Sequence, residues 1–171
     1  MSGPLNPMMK EGVADCDQWE LTARGRVLAE AATWLKTPFH FGARVKGVGV
    51  DCAQFIAAVF GACEIFQAEE YGYFGADWHQ HATEEHYRYR LVRHAVALPV
   101  GGIGRPGDIA LVKSGEGVKV FSAGGIVVAW PKLIHACPVR GVAYTSAELD
   151  PLLVGWETRF FDPFTRKGAG A

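Results

Sequence analysis

The stretch Gly49-Val50-Asp51-Cys52-Ala53-Gln54-Phe55-Ile56-Ala57-Ala58-Val59-Phe60 decides how the rest of the chain is read. Asp51 is a good helix N-cap, because its carboxylate can accept from backbone N–H groups that a helix start leaves unpaired. Ile56, Ala57, Val59 and Phe60 follow with the apolar spacing of a buried helix. Cys52 then falls in the first turn, where unpaired N–H groups and the positive end of the helix dipole favour a thiolate. A thiolate is a strong nucleophile in covalent catalysis. The competing reading is a small apolar residue packed at a helix start, since free cysteine is among the most buried residue types.

The residues on either side organise into helices first and strands second. Thr22 is a candidate cap for a helix through Lys36, with Val27, Leu28, Ala31, Trp34 and Leu35 on one face and Pro38 as its stop. Residues 43–50 form a glycine-punctuated loop that leads into the Cys52 helix. The spacing of Tyr87, Leu91, Ala95 and Leu98 predicts a third helix over Thr83–Leu98. Beyond the turn-rich run from Gly101 to Gly107 come short β-type segments: Ile109–Lys113, Val118–Phe121, Gly125–Trp130, Leu133–Cys137 and Val142–Thr145, with Arg159-Phe160-Phe161 as a closing strand. This order argues an α+β fold with an antiparallel sheet. Residues 1–21 read as an N-terminal arm, 22–164 as a single domain and 165–171 as a frayed tail.

Several of these segments resemble a known family. Trp34-Leu35-Lys36-Thr37-Pro38-Phe39-His40-Phe41-Gly42 followed by Lys46-Gly47-Val48-Gly49-Val50-Asp51-Cys52 is similar to the start of an NlpC/p60-type cysteine peptidase domain. Pro106-Gly107-Asp108-Ile109-Ala110-Leu111-Val112 resembles the first core strand of that family. Gly125-Ile126-Val127-Val128 and Leu133-Ile134-His135-Ala136 resemble the two strands that follow. The segments Ala76-Asp77-Trp78-His79-Gln80-His81 and Glu84-Glu85-His86-Tyr87 resemble the phage-tail branch. The resemblance implies a papain-like fold, with the nucleophile helix packed against the sheet. It also implies attack by Cys52 on peptide bonds of bacterial wall peptides through an acyl-enzyme, with no cofactor. Its expected partners are peptidoglycan stem peptides and phage tail proteins.

The same resemblance exposes a departure. The family carries its general-base histidine on the strand before the Ile-His-Ala block, and here that position is Ala123. Alanine cannot take a proton. His135 matches the third polar residue, which orients the base. In its alternating strand it shares a face with Leu133, and the expectation is an imidazole facing the helix toward Cys52. Phe39 stands where an active-site tyrosine is common. Substitutes for the base are His135 itself, His40 in the loop before the Cys52 helix, and His79 or His81. Asp51, Phe39 and Trp78 are the candidate lining of a substrate groove, Trp78 together with Tyr71, Tyr73 and Phe74 as an aromatic platform or a hydrophobic plug.

Composition agrees with a single domain of peptidase size. The chain has 171 residues, is 49% hydrophobic and carries a formal net charge of −1. That size supports a sizeable core. The charge gives no argument for nucleic acid or an anionic membrane surface. Four cysteines (Cys16, Cys52, Cys63 and Cys137) are too few for a disulfide scaffold at this length, and with no Cys-x-x-Cys pair a structural zinc site is not expected. His79-Gln80-His81 with His86 reads as structural or surface rather than as a metal site. Cys137 reads as core.

No run reaches membrane-spanning length and the first residues do not read as a signal peptide, so synthesis in the cytoplasm and delivery within a virion tail are expected. Two function classes remain: a wall-peptide cysteine endopeptidase or amidase, and a catalytically silent wall-binding or tail-assembly module on the same fold.

Overall fold

The computed structural model describes residues 7–67 and 93–165. Helix α1 (Pro7–Thr33) precedes a two-stranded hairpin of β1 (Arg44–Val45) and β2 (Gly49–Val50), then helix α2 (Cys52–Ala62). Six further strands follow: β3 (Val96–Ala97), β4 (Ile109–Val112), β5 (Ala123–Ala129), β6 (Lys132–Cys137), β7 (Gly141–Ser146) and β8 (Thr158–Asp162). They form one sheet in the order β3-β8-β4-β5-β6-β7, with every neighbouring pair antiparallel. The expected α+β architecture is therefore present, and the closing strand around Arg159-Phe160-Phe161 lies between β3 and β4.

Four details differ from the sequence reading. Helix α1 starts at Pro7, so most of the expected arm is helical. Proline suits a first helical position, and Met8, Met9, Lys10 and Glu11 are good helix formers. Thr22 is not a cap, because its hydroxyl donates to the Gln18 carbonyl one turn back, 2.9 Å away. The helix ends at Thr33 rather than Lys36, since Lys36 takes a left-handed backbone at φ 68° and its N–H donates to the Val142 carbonyl. The expected strand Val118–Phe121 is part of the β4–β5 connection: Val120 and Phe121 are buried by packing rather than by strand pairing. Most of the expected helix Thr83–Leu98 lies outside the described residues. Its last part is extended, with Val96 opposite Asp162 and Ala97 opposite Phe161.

The two faces of the sheet have different coverings. On one, Ile109, Leu111, Ile126, Ile134, Ala136 and Val142 join Val27, Ala31 and Trp34 of the α1 region and Phe55, Ile56, Val59 and Phe60 of α2 in the main core. On the other, Val112 and Leu133 pack with Ala147 and Leu153 of the β7–β8 connection. Outer strand β7 is bordered by the turn after α1: Lys36 N–H donates to the Val142 carbonyl, and Val142 N–H to the Thr37 carbonyl. Gly141, at φ 68°, permits this approach, because a Cβ there would collide with the Thr37 carbonyl.

A buried charge group ties α1 to the sheet. The Arg24 guanidinium donates to Asp108 (2.7 Å), Asp162 (3.0 Å), Glu20 (2.8 Å) and the Pro106 carbonyl (2.7 Å). Burial pushes the Asp108 carboxyl up, and the hydrogen bonds from Arg24 and the Arg105 N–H offset this only in part. Burial also pushes Asp162 up, but bonds from Thr165 and the Phe164 N–H, with the Arg24 and Arg105 charges, bring it below its ordinary value. Removing one partner of such a group leaves an uncompensated buried charge. Arg24→Gln is expected to lower the unfolding free energy by about 3–5 kcal/mol in urea titrations. The loss is expected to be larger at neutral than at acid pH, where Asp108, 0% exposed, can discharge itself by protonation.

Candidate active site

Asp51 builds the candidate nucleophile position. Its backbone is extended, and one carboxylate oxygen accepts from Gln54 N–H at 2.8 Å, a true N-cap. Its other oxygen accepts from Gly42 N–H at 2.7 Å. One carboxylate thus fixes both the start of α2 and the turn after His40-Phe41. Cys52 is the first residue of α2 and is half-buried at the margin of the main core. The N–H groups of the first turn and the helix dipole stabilise negative charge at this place.

The residues before the helix converge on the same point. Phe39 forms a parallel bridge with Val50, and His40 N–H donates to the Val50 carbonyl at 3.1 Å. His40 is exposed, and its ring lies so close to Gly49 that a Cβ there would come within 2.9 Å of it. Phe39 meets Phe41 edge to face at 4.8 Å between ring centres. Phe39, His40, Asp51 and Cys52 are therefore brought together in one neighbourhood. Trp78, His79 and His81 lie outside the described residues.

His135 goes elsewhere. Ile134 and Ala136 face α2, and strand alternation sends His135 with Leu133 to the opposite face. The expectation of an imidazole facing the helix toward Cys52 is not met. The ring is 2% exposed and its Nε2 lies 3.5 Å from Asp150 Oδ2 without a hydrogen bond. That oxygen already accepts from Thr145 Oγ1 at 2.7 Å and from Arg140, while Oδ1 accepts from Leu152 N–H at 2.9 Å. Burial pushes the His135 imidazole below its ordinary value; the Asp150 charge opposes this and the Arg140 charge reinforces it. Burial pushes Asp150 up, but its bonds from Thr145 and Leu152 and the neighbouring charges bring it below the usual carboxylate range.

Ala123 shares the face of His135. The register sets Gly125 opposite His135, and Ala123, two residues along β5, packs beside the Leu133 cluster. A Cβ at Gly125 would lie 2.8 Å from His135 Cβ, so the strands meet closely here only because position 125 is glycine. Sequence reasoning missed Thr145, Arg140 and Asp150 around His135. Asp150 precedes Pro151 in a turn-like run, and nothing local marks it as the partner of a histidine in another strand. Among the described residues, no group of three or more His, Cys, Asp and Glu side chains is arranged to hold a metal, and no helix is long and apolar enough to cross a membrane.

Two outcomes follow from this geometry. Asp51→Ala is expected to lower stability by about 1–2 kcal/mol through loss of the cap, measured by thermal melting. The imidazole of His135 has a lower pKa folded than unfolded, so the unfolded chain binds more protons below the ordinary histidine value. Stability is therefore expected to fall as pH drops through that range toward the lower folded value. His135→Gln is expected to flatten that slope in denaturant titrations across pH.

Neither a family model nor a curated protein matches the sequence. Solved structures do match the fold. The NlpC/p60 domain of the peptidoglycan hydrolase SagA superposes with a TM-score of 0.56 at 16% identity, over 80% of this chain and 96% of that one. NlpC2 from Trichomonas vaginalis gives 0.61 at 14% identity, over 83% of this chain and 46% of that one. The peptidoglycan hydrolase RipB from Mycobacterium tuberculosis gives 0.53 at 14% identity, over 96% of this chain and 73% of that one. Identities this low speak to architecture alone, and the architecture is that of NlpC/p60 domains.

Proposed function

We propose that this chain is a cysteine endopeptidase or amidase acting on the peptides of bacterial peptidoglycan, with Cys52 as its nucleophile. The observation that carries the reading is the placement of Cys52 at the first position of a helix capped by Asp51, within the fold shared with SagA and RipB. Amide hydrolysis needs a nucleophile, a proton acceptor and donors for the oxyanion. Cys52 supplies the first, and the N–H groups of its turn are suited to the third. The thiolate attacks the carbonyl carbon, the amine leaves with a proton, and water hydrolyses the thioester to restore the thiol. Phe39, Asp51 and Trp78 are assigned to the substrate groove. The 76–87 segment supports a setting in a phage tail, with tail proteins as partners.

With alanine at position 123 no acceptor stands where the family pattern expects one, and that position leaves β5 on the face turned away from α2. Turnover is expected to be weak unless His40, which lies beside Val50, takes the proton. A second reading, a catalytically silent module that binds wall peptides or assembles tails, is favoured by Ala123 and by the seclusion of His135 against Asp150. A general base within reach of Cys52 would raise cleavage of purified peptidoglycan by about 10²–10⁴-fold, but because position 123 faces away from α2, Ala123→His is expected to give no such gain, while Cys52→Ala is expected to abolish whatever cleavage the unaltered chain shows. A Cys52-dependent gain in folded Ala123→His protein would overturn the facing of β5, and cleavage undiminished in folded Cys52→Ala protein would overturn Cys52 as the nucleophile. Alkylation of Cys52 across pH gives an independent measure. Titration well below an ordinary thiol supports a primed nucleophile, and ordinary titration supports the silent module.

A further inference from the structure

The most unusual polar group in the described residues is the His135 imidazole. Its Nε2 is fully buried and makes no hydrogen bond, yet it sits 3.5 Å from a carboxylate oxygen. A buried polar nitrogen without a partner calls for an explanation. Two tautomers are available to the neutral ring, and they differ in which nitrogen carries hydrogen. If Nε2 were bare, its lone pair would face the lone pairs of Asp150 Oδ2 in a water-poor setting, which is repulsive. If Nε2 carries the hydrogen, its positive end faces the carboxylate and the contact is attractive even beyond bonding distance.

The carboxylate cannot move toward the ring at will. Thr145 Oγ1, Arg140 and Leu152 N–H hold it from three sides. Arg140 comes from the β6–β7 turn, Thr145 from β7 and Leu152 from the β7–β8 connection, so three separate elements fix Asp150 in front of His135. From β5, Ala123 and Gly125 present no charge to the ring. Cys137, on β6 two residues beyond His135, shares that face and lies near Arg140.

From this arrangement we infer that Asp150 is a positioning residue: it fixes His135 in the tautomer with hydrogen on Nε2, leaving Nδ1 as the ring's hydrogen-bond acceptor. A ring so fixed is ready to accept from a histidine N–H at the neighbouring position 123. Its catalytic meaning rests on the function proposed above; the tautomer itself does not.

Nitrogen-15 NMR of histidine-labelled protein reads the tautomer directly, with no need for activity. The unaltered protein is expected to show the Nε2–H form for His135, with the assignment confirmed by loss of the signals in His135→Gln. An Nδ1–H form would overturn the inference. Asp150→Asn, in protein whose amide spectrum remains folded, is expected to lose the strict preference, whereas an unchanged Nε2–H population would overturn the role of Asp150. Arg140→Gln leaves the carboxylate in place and serves if Asp150→Asn does not fold. It is expected to keep the Nε2–H form and to raise the pH at which His135 gains its second proton, and loss of the tautomer in this variant would count against Asp150 as its cause.

A last arm separates the two proposals. If Ala123→His gains cleavage, adding Asp150→Asn is expected to reduce kcat at least about tenfold with little change in KM, the pattern of an interaction made in the transition state. Undiminished kcat would overturn the positioning role while leaving Cys52 chemistry intact. If Ala123→His gains nothing, position 123 is not the base position and the tautomer measurement still decides the present inference.

Discussion

Alternation along β6 is the constraint on which the site arrangement turns. Successive side chains of a strand leave on opposite faces, and the two faces of this sheet are covered by different parts of the chain. Ile134 and Ala136 are claimed by α2 and the main core, so His135 between them must go to the side covered by the β7–β8 connection. No rotamer choice reverses that assignment. A slip of the strand by one residue would bring His135 to the helix, but only by driving Ile134 and Ala136 out of the core.

The candidate active site is consequently divided. One part is local in sequence: Phe39, His40, Asp51 and Cys52, drawn together by the bridge from Phe39 to Val50 and by the double use of the Asp51 carboxylate. The other part is assembled from distant strands: Ala123 and His135, with Thr145, Arg140 and Asp150 behind them. A side chain at position 123 leaves β5 on the same face as His135, so it reaches toward that imidazole and not toward the Cys52 helix. With alanine there, His135 has nothing from β5 to orient.

What could be read in the sequence followed the range of the interactions. The cap at Asp51, the helix after it and the buried face of Val27, Ala31 and Trp34 rest on contacts within a few turns, and periodicity carried them well. Strands β4 to β8 were legible because each is a short, largely apolar run between turn residues. The start of α1 was missed because Thr22 looks like a cap while its hydroxyl is satisfied within the helix. Val120 and Phe121 looked like a strand because burial and pairing leave the same apolar mark. The face taken by His135 was misjudged for a different reason. Alternation shows which residues travel together but not which side meets the helix, and Asp150 carries no local sign of its target.

The turn after α1 does more than end a helix. Its Lys36 and Thr37 backbone groups occupy the outward-facing N–H and C=O of Val142, near the start of the outermost strand on that side. An open border of this kind is the usual template on which a foreign strand adds to a sheet. Here the first rung is already taken by the protein's own chain, and the tight fit of Gly141 against Thr37 leaves no room to displace it gently. The sheet is thereby guarded at that corner against recruitment into larger β-assemblies.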